Sequence, residues 1–244
     1  MSTPLISFIV PVSNKEKYLK RCLDSLLHHG IDYEVIIIDD CSQDSSALIA
    51  KGYAADHMNI YLHILPKNKG VGNARNVGVN LAQGEFLIFI DSDDWCSMMV
   101  FEKVQELLEH HNYPDCGIFS YNRYQDGDYL HNTIPNQAEP HNDYNALVDN
   151  DAVMSLFNKG NICASPWNKV YKRSFWLKND ISWPTAEELK ELQVEGSEDF
   201  SLIPYVLYKA DNVLLANSAY YNYDLNQDSA SLSVEGDRVA ASVR

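Results

Sequence analysis

Three carboxylates fall within four positions of the chain, at Asp91, Asp93 and Asp94. They directly follow Glu85–Ile90, a nearly continuous apolar run that is typical of a strand buried on both faces. Because neighbouring carboxylates repel one another, a bound cation would explain why they concentrate at the mouth of such a strand. Oxygen ligands at this density suit Mg²⁺ or Mn²⁺, which take one or two carboxylates and complete their coordination with water and phosphate. The alternative is an acidic strand-to-helix turn in which Asp94 is a cap.

Apolar strands and helical stripes alternate through the first part of the chain. The predicted strands are Leu5–Val10, which Pro11 ends, and then Tyr33–Asp39, Ile60–Leu65 and Glu85–Ile90. Helices are expected between them, the last one from about Gly72 to Gln83. This alternation predicts β-α-β units, a mostly parallel central sheet flanked by helices, and right-handed connections. The predicted fold class is therefore α/β.

Ligands of such a sheet bind beyond the carboxyl ends of its strands. That rule places four polar clusters on one rim, namely Pro11–Asn14, Asp39-Asp40, Lys67–Gly70 and Asp91–Asp94. Asp40 could accept hydrogen bonds from a base or a ribose, or it could cap the next helix. Arg75 could reach a base, a ribose or Asp91, or it could be a surface or salt-bridging arginine. The backbone of Pro11-Val12-Ser13 could meet a nucleobase, or it could form a plain turn.

The pattern is less regular after Trp95. Expected elements are a helix over 98–111, a strand Cys116–Tyr124, a loop or weak hairpin over 125–145, a helix Ala146–Phe157, a short helix from Arg173, a helix from Ser197 to Ala210, and closing strands Val213–Ala216 and Tyr220–Tyr223. The tail 233–244 has helical composition without a stop, so we expect a chain cut from a longer protein.

Composition excludes several partners. The net charge of −15 argues against nucleic acid, whose phosphates it would repel, and against electrostatic docking to anionic lipid. The five cysteines contain no C-x-x-C pair, so we expect reduced thiols in a cytoplasmic chain. We expect no signal peptide and find no apolar run of roughly 18 residues. Any membrane association, at the inner face, would be indirect or would come from missing sequence.

Three common motifs are missing from the sequence: G-x-G-x-x-G after the first strand, G-x-x-x-x-G-K-[ST], and G-x-S-x-G. The sequence therefore contains no motif that would support a dinucleotide cofactor, a phosphate-binding loop or the usual α/β hydrolase arrangement. A sheet with acidic rims and no glycine-rich cradle must hold phosphate in another way, and a metal on Asp91 and Asp93 would do so.

Five stretches occur together in a characteristic order. They are PVSNKEKYLKRCLDSLL, YEVIIIDDCSQDSS, NKGVGNARNVGVNLAQGEFLIFIDSDDW, SPWNKVYKRSFW and SEDFSLIPYVLYKA. In combination they resemble the nucleotide-diphospho-sugar glycosyltransferases of the GT-A fold, specifically the large inverting family 2, over about residues 5–223. The resemblance implies a GT-A, Rossmann-like sheet in which residues 1–97 bind the nucleotide sugar. Residues 98–232 would form the smaller acceptor-side and catalytic half of the same domain.

The resemblance also implies residue roles. Asp91-Ser92-Asp93 is similar to the metal-binding D-x-D motif, with Asp93 ligating Mn²⁺ or Mg²⁺ on the diphosphate and Asp91 at the ribose or the metal. Asp199 is similar to the catalytic base of the E-D motif. Further contacts to the nucleotide sugar would come from Pro11, Val12, Asp40, Asn68, Gly70, Arg75 and Ser92. Support or acceptor contacts would come from Asp94, Trp95, Glu198 and Trp167. Unlike some relatives, the chain has no histidine in 211–244 and no basic residue in DLNQDSASLS.

The activity that the resemblance implies is inverting transfer of a sugar, from a donor expected to be a UDP-sugar, to a hydroxyl of a glycan or lipid-linked acceptor. Such a displacement needs a carboxylate that takes the acceptor's proton and a cation that takes up charge on the diphosphate. The helix dipole would lower the pKa of Asp199 unless burial raises it. The alternatives are a catalytically silent sugar-nucleotide-binding domain and a sugar nucleotidyltransferase, whose glycine-rich basic loop is replaced here by Pro11–Lys17.

Overall fold

The computed structural model of the protein describes residues 4–27, 30–97, 101–133, 145–191 and 198–226. The strands are β1 (Ile6–Val12), β2 (Tyr33–Asp39), β3 (Ile60–Ile64), β4 (Phe86–Phe89), β5 (Trp95–Cys96), β6 (Cys116–Gln125), β7 (Asp128–Thr133), β8 (Asn145–Val148), β9 (Lys169–Lys172) and β10 (Val213–Leu225). The helices are α1 (Leu19–Ser25), α2 (Ser46–Asp56), α3 (Val71–Leu81), α4 (Phe101–His110), α5 (Asn150–Asn158), α6 (Arg173–Lys178), α7 (Ala186–Glu191) and α8 (Glu198–Lys209). Predicted features in 98–100, at Ser197 and in 227–244 lie outside the described residues.

The ten strands of the described residues belong to one sheet, in the order β3-β2-β1-β4-β9-β6-β10-β5, with β7 on β6 and β8 on β10. The first four strands are mutually parallel, with β1 between β2 and β4 and with β3 beyond β2. β6 and β10 are also parallel to each other, whereas β5, β7, β8 and β9 pair antiparallel with their neighbours. The α/β prediction is therefore confirmed, with antiparallel strands added in the second half.

β1 continues through Pro11, where the sequence predicted that it would end. Ile9 O accepts from Ile90 N at 2.9 Å on the β4 side, and Val12 O accepts from Asp40 N at 2.8 Å on the β2 side. Bonding directions alternate along a strand, so the nitrogen of Pro11 faces the β4 side, where strand pairing has already ended. The missing N–H of proline therefore costs no ladder bond.

The segment Asn145–Val148 is a strand, not the start of a helix as predicted. It pairs antiparallel with β10, and α5 begins only afterwards, at Asn150. Asp149 caps that helix, because its side chain accepts from Ala152 N at 2.9 Å. The two predicted closing strands are in fact one strand, β10, whose pairing with β6 is irregular between Ala216 and Tyr221.

The central strands bury apolar side chains on both faces of the sheet. Phe8 and Val10 pack in one core cluster with Phe101 of α4, while Ile9 packs in the other with Trp183. Burial on both faces explains why these strands read as continuous apolar runs. No helix in the described part of the chain has the length and apolar character needed to cross a bilayer.

Candidate active site

Arg75 on α3 is the centre of a buried ionic cluster beside the end of β4. Its side chain is 3% exposed, and its guanidinium lies 3.1 Å from Asp91 Oδ1, 3.0 Å from Glu198 Oε1 and 2.8 Å from Asp199 Oδ1. Asp91 follows β4, whereas the other two acids begin α8. One arginine therefore joins two acidic motifs that lie far apart in the sequence. We call these four residues the Arg75 cluster.

Trp183 and its neighbours hold Arg75 in this position. The guanidinium lies over the indole, 4.5 Å from the ring centroid, in a cation–π contact. Asn76 fixes the tryptophan backbone, donating to Trp183 O and accepting from Trp183 N, both at 2.8 Å. A Cβ at Gly72 would meet Pro184 O at 2.4 Å, so glycine is required for this close approach. Packing therefore fixes the arginine independently of any ligand.

The Arg75 cluster changes the acidity of its carboxyl groups. Burial raises the pKa of Asp199 to about 7, an effect that Arg75 opposes and that Glu198 and Asp91 reinforce. Burial also raises the pKa of Asp91, again against the influence of Arg75. The lowering expected from the helix dipole is thus outweighed. At neutral pH Asp199 has the basicity that suits a proton acceptor.

The turn Asp91–Asp94, which we call the acid turn, meets a second basic side chain at Asp93. Lys15 Nζ lies 2.8 Å from Asp93 Oδ2, and the two side chains are 21% and 16% exposed. The lysine follows β1, and its backbone N–H donates to Ser46 Oγ at 2.8 Å. Arg21 Nη2 donates to Asp93 O at 2.8 Å and so holds the backbone of the turn.

Tyr221 on β10 ties the acid turn to the second half of the sheet. Its hydroxyl donates to Asp94 Oδ2 at 2.5 Å and accepts from Asp91 N at 3.2 Å. The other oxygen of Asp94 accepts from Asp224 N at 2.8 Å. Burial raises the pKa of Asp94 well above its usual value. Asp94 and Ser92 are both buried, so Asp94 supports the turn and does not face solvent.

Asp40 organises the loop that leads into α3. Its carboxylate accepts from the backbone N–H of Lys69 and of Gly70, both at 2.8 Å. Its carbonyl accepts from Asn68 Nδ2 at 3.1 Å, and its N–H donates to Val12 O at 2.8 Å. Gly70 has a φ of 86°, which favours glycine. Four residues predicted to bind the nucleotide sugar therefore form one cluster, in which the buried Asp40 carboxylate holds the loop backbone. They are Val12, Asp40, Asn68 and Gly70.

The two tryptophans predicted near an acceptor differ in their surroundings. Trp167 is 5% exposed and stacks on Tyr221 at 4.5 Å and on Tyr223 at 5.2 Å between ring centroids. It therefore supports the tyrosine that holds the acid turn. Trp95 is partly exposed and lies under the guanidinium of Arg21, 4.0 Å from the ring centroid.

The acid turn offers the oxygen atoms that a hard divalent cation prefers. The side chains of Asp91 and Asp93 are 29% and 16% exposed, so both carboxylates reach the surface of the site. Within the described ranges, no three His, Cys, Asp or Glu side chains form a ready metal cage. The residues present therefore fit Mn²⁺ or Mg²⁺ in one mode, in which the protein gives one or two carboxylates and phosphate and water complete the shell.

Most of the predicted site residues are thus brought together, but three of the residues that hold them were not predicted. Lys15 could have been found, because it follows Ser13-Asn14 in a polar stretch at the carboxyl end of β1. Arg21 and Tyr221 carry no such signal, because their contacts with the acid turn depend on how distant elements pack. Arg75 reaches Asp91, which was one of its three predicted partners.

Known proteins similar to this chain were found by sequence. The model of the family described as Glycosyl transferase family 2 matches residues 7–175. The putative glycosyltransferase EpsH of Bacillus subtilis is 32% identical over 206 residues, which are 79% of this chain and 54% of EpsH. The poly(ribitol-phosphate) β-N-acetylglucosaminyltransferase TarS of Staphylococcus aureus is 27% identical over 219 residues, which are 88% of this chain and 35% of TarS. The chain thus spans about half of EpsH and about a third of TarS.

Solved structures are similar over nearly the whole chain. The crystal structure of S. aureus TarS 1-349 in complex with UDP-GlcNAc has a TM-score of 0.75 and 26% identity, covering 93% of this chain and 60% of that one. The mannosyltransferase PcManGT of Pyrobaculum calidifontis, in complex with GDP-Man and Mn²⁺, has a TM-score of 0.61 and 13% identity, covering 96% and 60%. The second similarity is one of fold alone.

Proposed function

The chain belongs to glycosyl transferase family 2, and on that premise we propose that it is an inverting, metal-assisted enzyme. It would transfer a sugar from a UDP-sugar to a hydroxyl of a glycan or lipid-linked acceptor. The observation that supports this proposal best is the Arg75 cluster, which places the base candidate Asp199 beside the D-x-D residue Asp91 through one shared arginine. The group that accepts the proton and the site that binds the sugar donor would then be neighbours, as a single displacement requires.

The donor would bind along the carboxyl ends of β1, β2 and β4. The loop held by Asp40, with Val12, Asn68 and Gly70, lies on that rim and is proposed to meet the nucleoside. TarS, a relative with 26% identity, has been solved with UDP-GlcNAc, which favours a uridine nucleotide. We assign residues 1–97 to donor binding and 98–232 to the acceptor side.

The reaction would be one displacement at the anomeric carbon. As the acceptor oxygen forms its bond to that carbon, the bond to the diphosphate oxygen breaks and the diphosphate leaves with the electron pair. Asp199 would take the proton of the acceptor hydroxyl, for which its pKa of about 7 is suited. Arg75 holds Asp199 and Glu198 in place, so these carboxylates have fixed positions before the acceptor arrives.

Charge on the departing diphosphate needs a cation. Arg75 is buried and already shared by three carboxylates, so it has little charge to offer. Asp93, with Asp91, would hold Mn²⁺ or Mg²⁺, which supplies positive charge at the leaving group when it is bound. The protein's own contribution is to present these two carboxylates on a turn that Arg21 and Tyr221 keep rigid.

The test is release of UDP from a panel of UDP-sugars, with GDP-mannose for comparison, in the presence of Mn²⁺ and glycan acceptors. Asp199→Asn should lower the turnover by about 10²- to 10⁴-fold, because general base catalysis contributes that much. The melting temperature should show that the variant is folded. Asp56→Asn, at the exposed end of α2, is the matched control and should keep full activity.

Two outcomes would count against the proposal. Turnover retained in Asp199→Asn would remove this residue as the base. UDP binding without UDP release from any sugar would instead favour a catalytically silent domain.

A further inference from the structure

The hairpin formed by β6 and β7 is tied to the acid turn at its tip. Its two-residue turn, Asp126-Gly127, has a positive φ at both positions, 49° and 88°, as the tight turn of a twisted hairpin requires. Gly127 N donates to Asp224 Oδ1 at 3.0 Å, and Asp224 N donates to Asp94 Oδ1 at 2.8 Å. One buried aspartate of β10 therefore holds both turns, so the hairpin tip has a fixed position beside the acid turn.

Three aromatic side chains lead from the acid turn onto this hairpin, and we call them the aromatic row. The ring centroid of Tyr124 on β6 lies 4.6 Å from that of Trp95, which directly follows the acid turn, and 5.5 Å from that of Tyr129 on β7. The ring planes are inclined at 57° and 71°, so the rings do not cover one another fully. Trp95 and Tyr124 are partly exposed, and Tyr129 is 58% exposed. The row therefore becomes more exposed with distance from the acid turn.

Uncharged polar groups lie on the same face of the sheet, in a series that we call the amide ladder. Asn132 Nδ2 donates to Asn122 Oδ1 at 3.0 Å, and Asn122 Nδ2 donates to Asn222 Oδ1 at 2.9 Å. Because Asn122 and Tyr124 are two positions apart on β6, their side chains leave the same face. Asn132 is exposed, and an amide has two N–H donors and a carbonyl oxygen, so it keeps hydrogen-bonding capacity beyond this contact. Aromatic rings and amides therefore share one face.

This combination of side chains indicates the chemistry of a ligand. Aromatic rings pack against C–H groups and amides bond to hydroxyls, and a sugar ring carries both kinds of group. The aromatic row and the amide ladder are uncharged, and Asp224, the register partner of Tyr124, is buried and lies 2.9 Å from the guanidinium of Arg21. The whole chain has a net charge of −15, which would repel a polyanion or an anionic membrane. A neutral, hydroxylated ligand therefore fits this face best.

We propose that the aromatic row and the amide ladder form an acceptor subsite for a neutral glycan of several sugar units. The glycan would lie across the β6–β7 hairpin with one end at the acid turn, beside which the proposed function places the sugar to be transferred. The inference rests on that proposed function, and it narrows the acceptor to a neutral glycan chain. Tyr129, at the far end of the row, would contact a later sugar unit and not the reacting atoms.

The experiment compares glycans of increasing length on the full chain. The probes are neutral malto-, cello- and chito-oligosaccharides of one to six units, and their binding is followed by saturation-transfer NMR in the presence of UDP and Mn²⁺. Affinity should rise with length in at least one series. Tyr129→Ala should weaken binding of the longest member of that series about two- to tenfold, the loss expected for one aromatic contact, and Asn132→Ala should weaken it by a similar factor. Binding of the single sugar unit should not change, because it does not reach Tyr129.

Two variants serve as controls. Tyr129→Phe keeps the ring and should bind the longest glycan nearly as the wild type does. Tyr208→Ala removes a tyrosine that is equally exposed, at 59%, but lies in the last turn of α8, so glycan binding should stay unchanged. Thermal melting should show that all variants are folded, since both tyrosines are largely exposed.

The other outcomes separate this inference from the proposed function. If no probe glycan binds, or if Tyr129→Ala binds the longest glycan as the wild type does, the face is not an acceptor subsite. If Tyr129→Ala instead abolishes a dimer in sedimentation, or binding to phosphatidylglycerol vesicles, the face belongs to a second copy of the chain or to a lipid surface. The proposed function survives each of these results if UDP release still depends on Asp199. Glycan binding at Tyr129 without UDP release from any donor would uphold the glycan-binding face and contradict the proposed function.

Discussion

Two basic side chains neutralise the acid turn, and they do so in different ways. Arg75 is 3% exposed, has three carboxylate partners and lies over an indole ring. Lys15 is 21% exposed, and its Nζ lies 2.8 Å from Asp93 Oδ2 and 5.9 Å from the centroid of the Tyr18 ring. The planar guanidinium contacts several acids at once in a buried place, while the ammonium acts as a point charge in a part-buried place.

This difference indicates that Arg75 and Lys15 have different roles. The pairing of Arg75 is part of the fold, because removing it would leave buried carboxylates without a counter-charge. The contact of Lys15 with Asp93 involves one carboxylate and two partly exposed side chains, so its loss should cost less. Arg75 would set the position and pKa of Asp199, and Lys15 would hold the carboxylate of Asp93 in the acid turn.

The largest effect is expected from Arg75→Met. Its three carboxylates would lose their partner, and the free energy of unfolding at pH 8 should fall by about 3–5 kcal/mol, measured by urea denaturation. Lys15→Gln should lower it less, because only one carboxylate loses a contact and both side chains are partly exposed. Equal losses in the two variants would contradict the distinction between a buried arginine with three carboxylate partners and a partly exposed lysine.

The pH dependence of activity tests the Arg75 cluster next. Asp199 must be ionised to accept a proton, so kcat/KM should fall about tenfold per pH unit below its pKa of about 7. For stability the sign is opposite. A folded pKa above the unfolded value of about 3.9 favours the folded state at low pH, and this contribution is lost as the pH rises through about 7. In Asp199→Asn this part of the pH dependence of unfolding should disappear, and its persistence would assign it to another group.

A smaller effect is expected from Tyr221→Phe. The change removes the hydroxyl that donates to Asp94 and accepts from Asp91 N, leaving buried polar groups without that partner. The free energy of unfolding should fall by about 1–3 kcal/mol in thermal or urea denaturation. Tyr205→Phe, on a residue that is 43% exposed, is the matched control and should change little. If Tyr221→Phe is equally neutral, β10 does not hold the acid turn through this hydroxyl.

Local sequence pattern predicted the first half of the fold well. The bounds of β2 are as predicted, and those of β1, β3 and β4 differ by one or two residues. β1, β2 and β4 are buried on both faces and so leave a continuous apolar run, whereas β3 is exposed at three of its five residues. The pattern failed at Asn145–Val148, where a short segment has no decisive periodicity and pairing with β10 determines the structure. At the site, the structure brings the predicted acids Asp91, Glu198 and Asp199 together around Arg75, and their roles stay predictions. The sequence did not predict that Tyr221 holds the acid turn, because this contact depends on where β10 lies in the sheet.

The sequence alone determined that the acids of the rim lie at one edge, because parallel strands that alternate with helices all end on the same side of their sheet. It also determined the family, because five motifs occur in a characteristic order. Tertiary structure alone decided which charges pair. Burial over Trp183 commits Arg75 to Asp91, Glu198 and Asp199, while Lys15 contacts Asp93 in a partly exposed place. Burial and distance control the strength of an ion pair, and neither can be read from the order of residues.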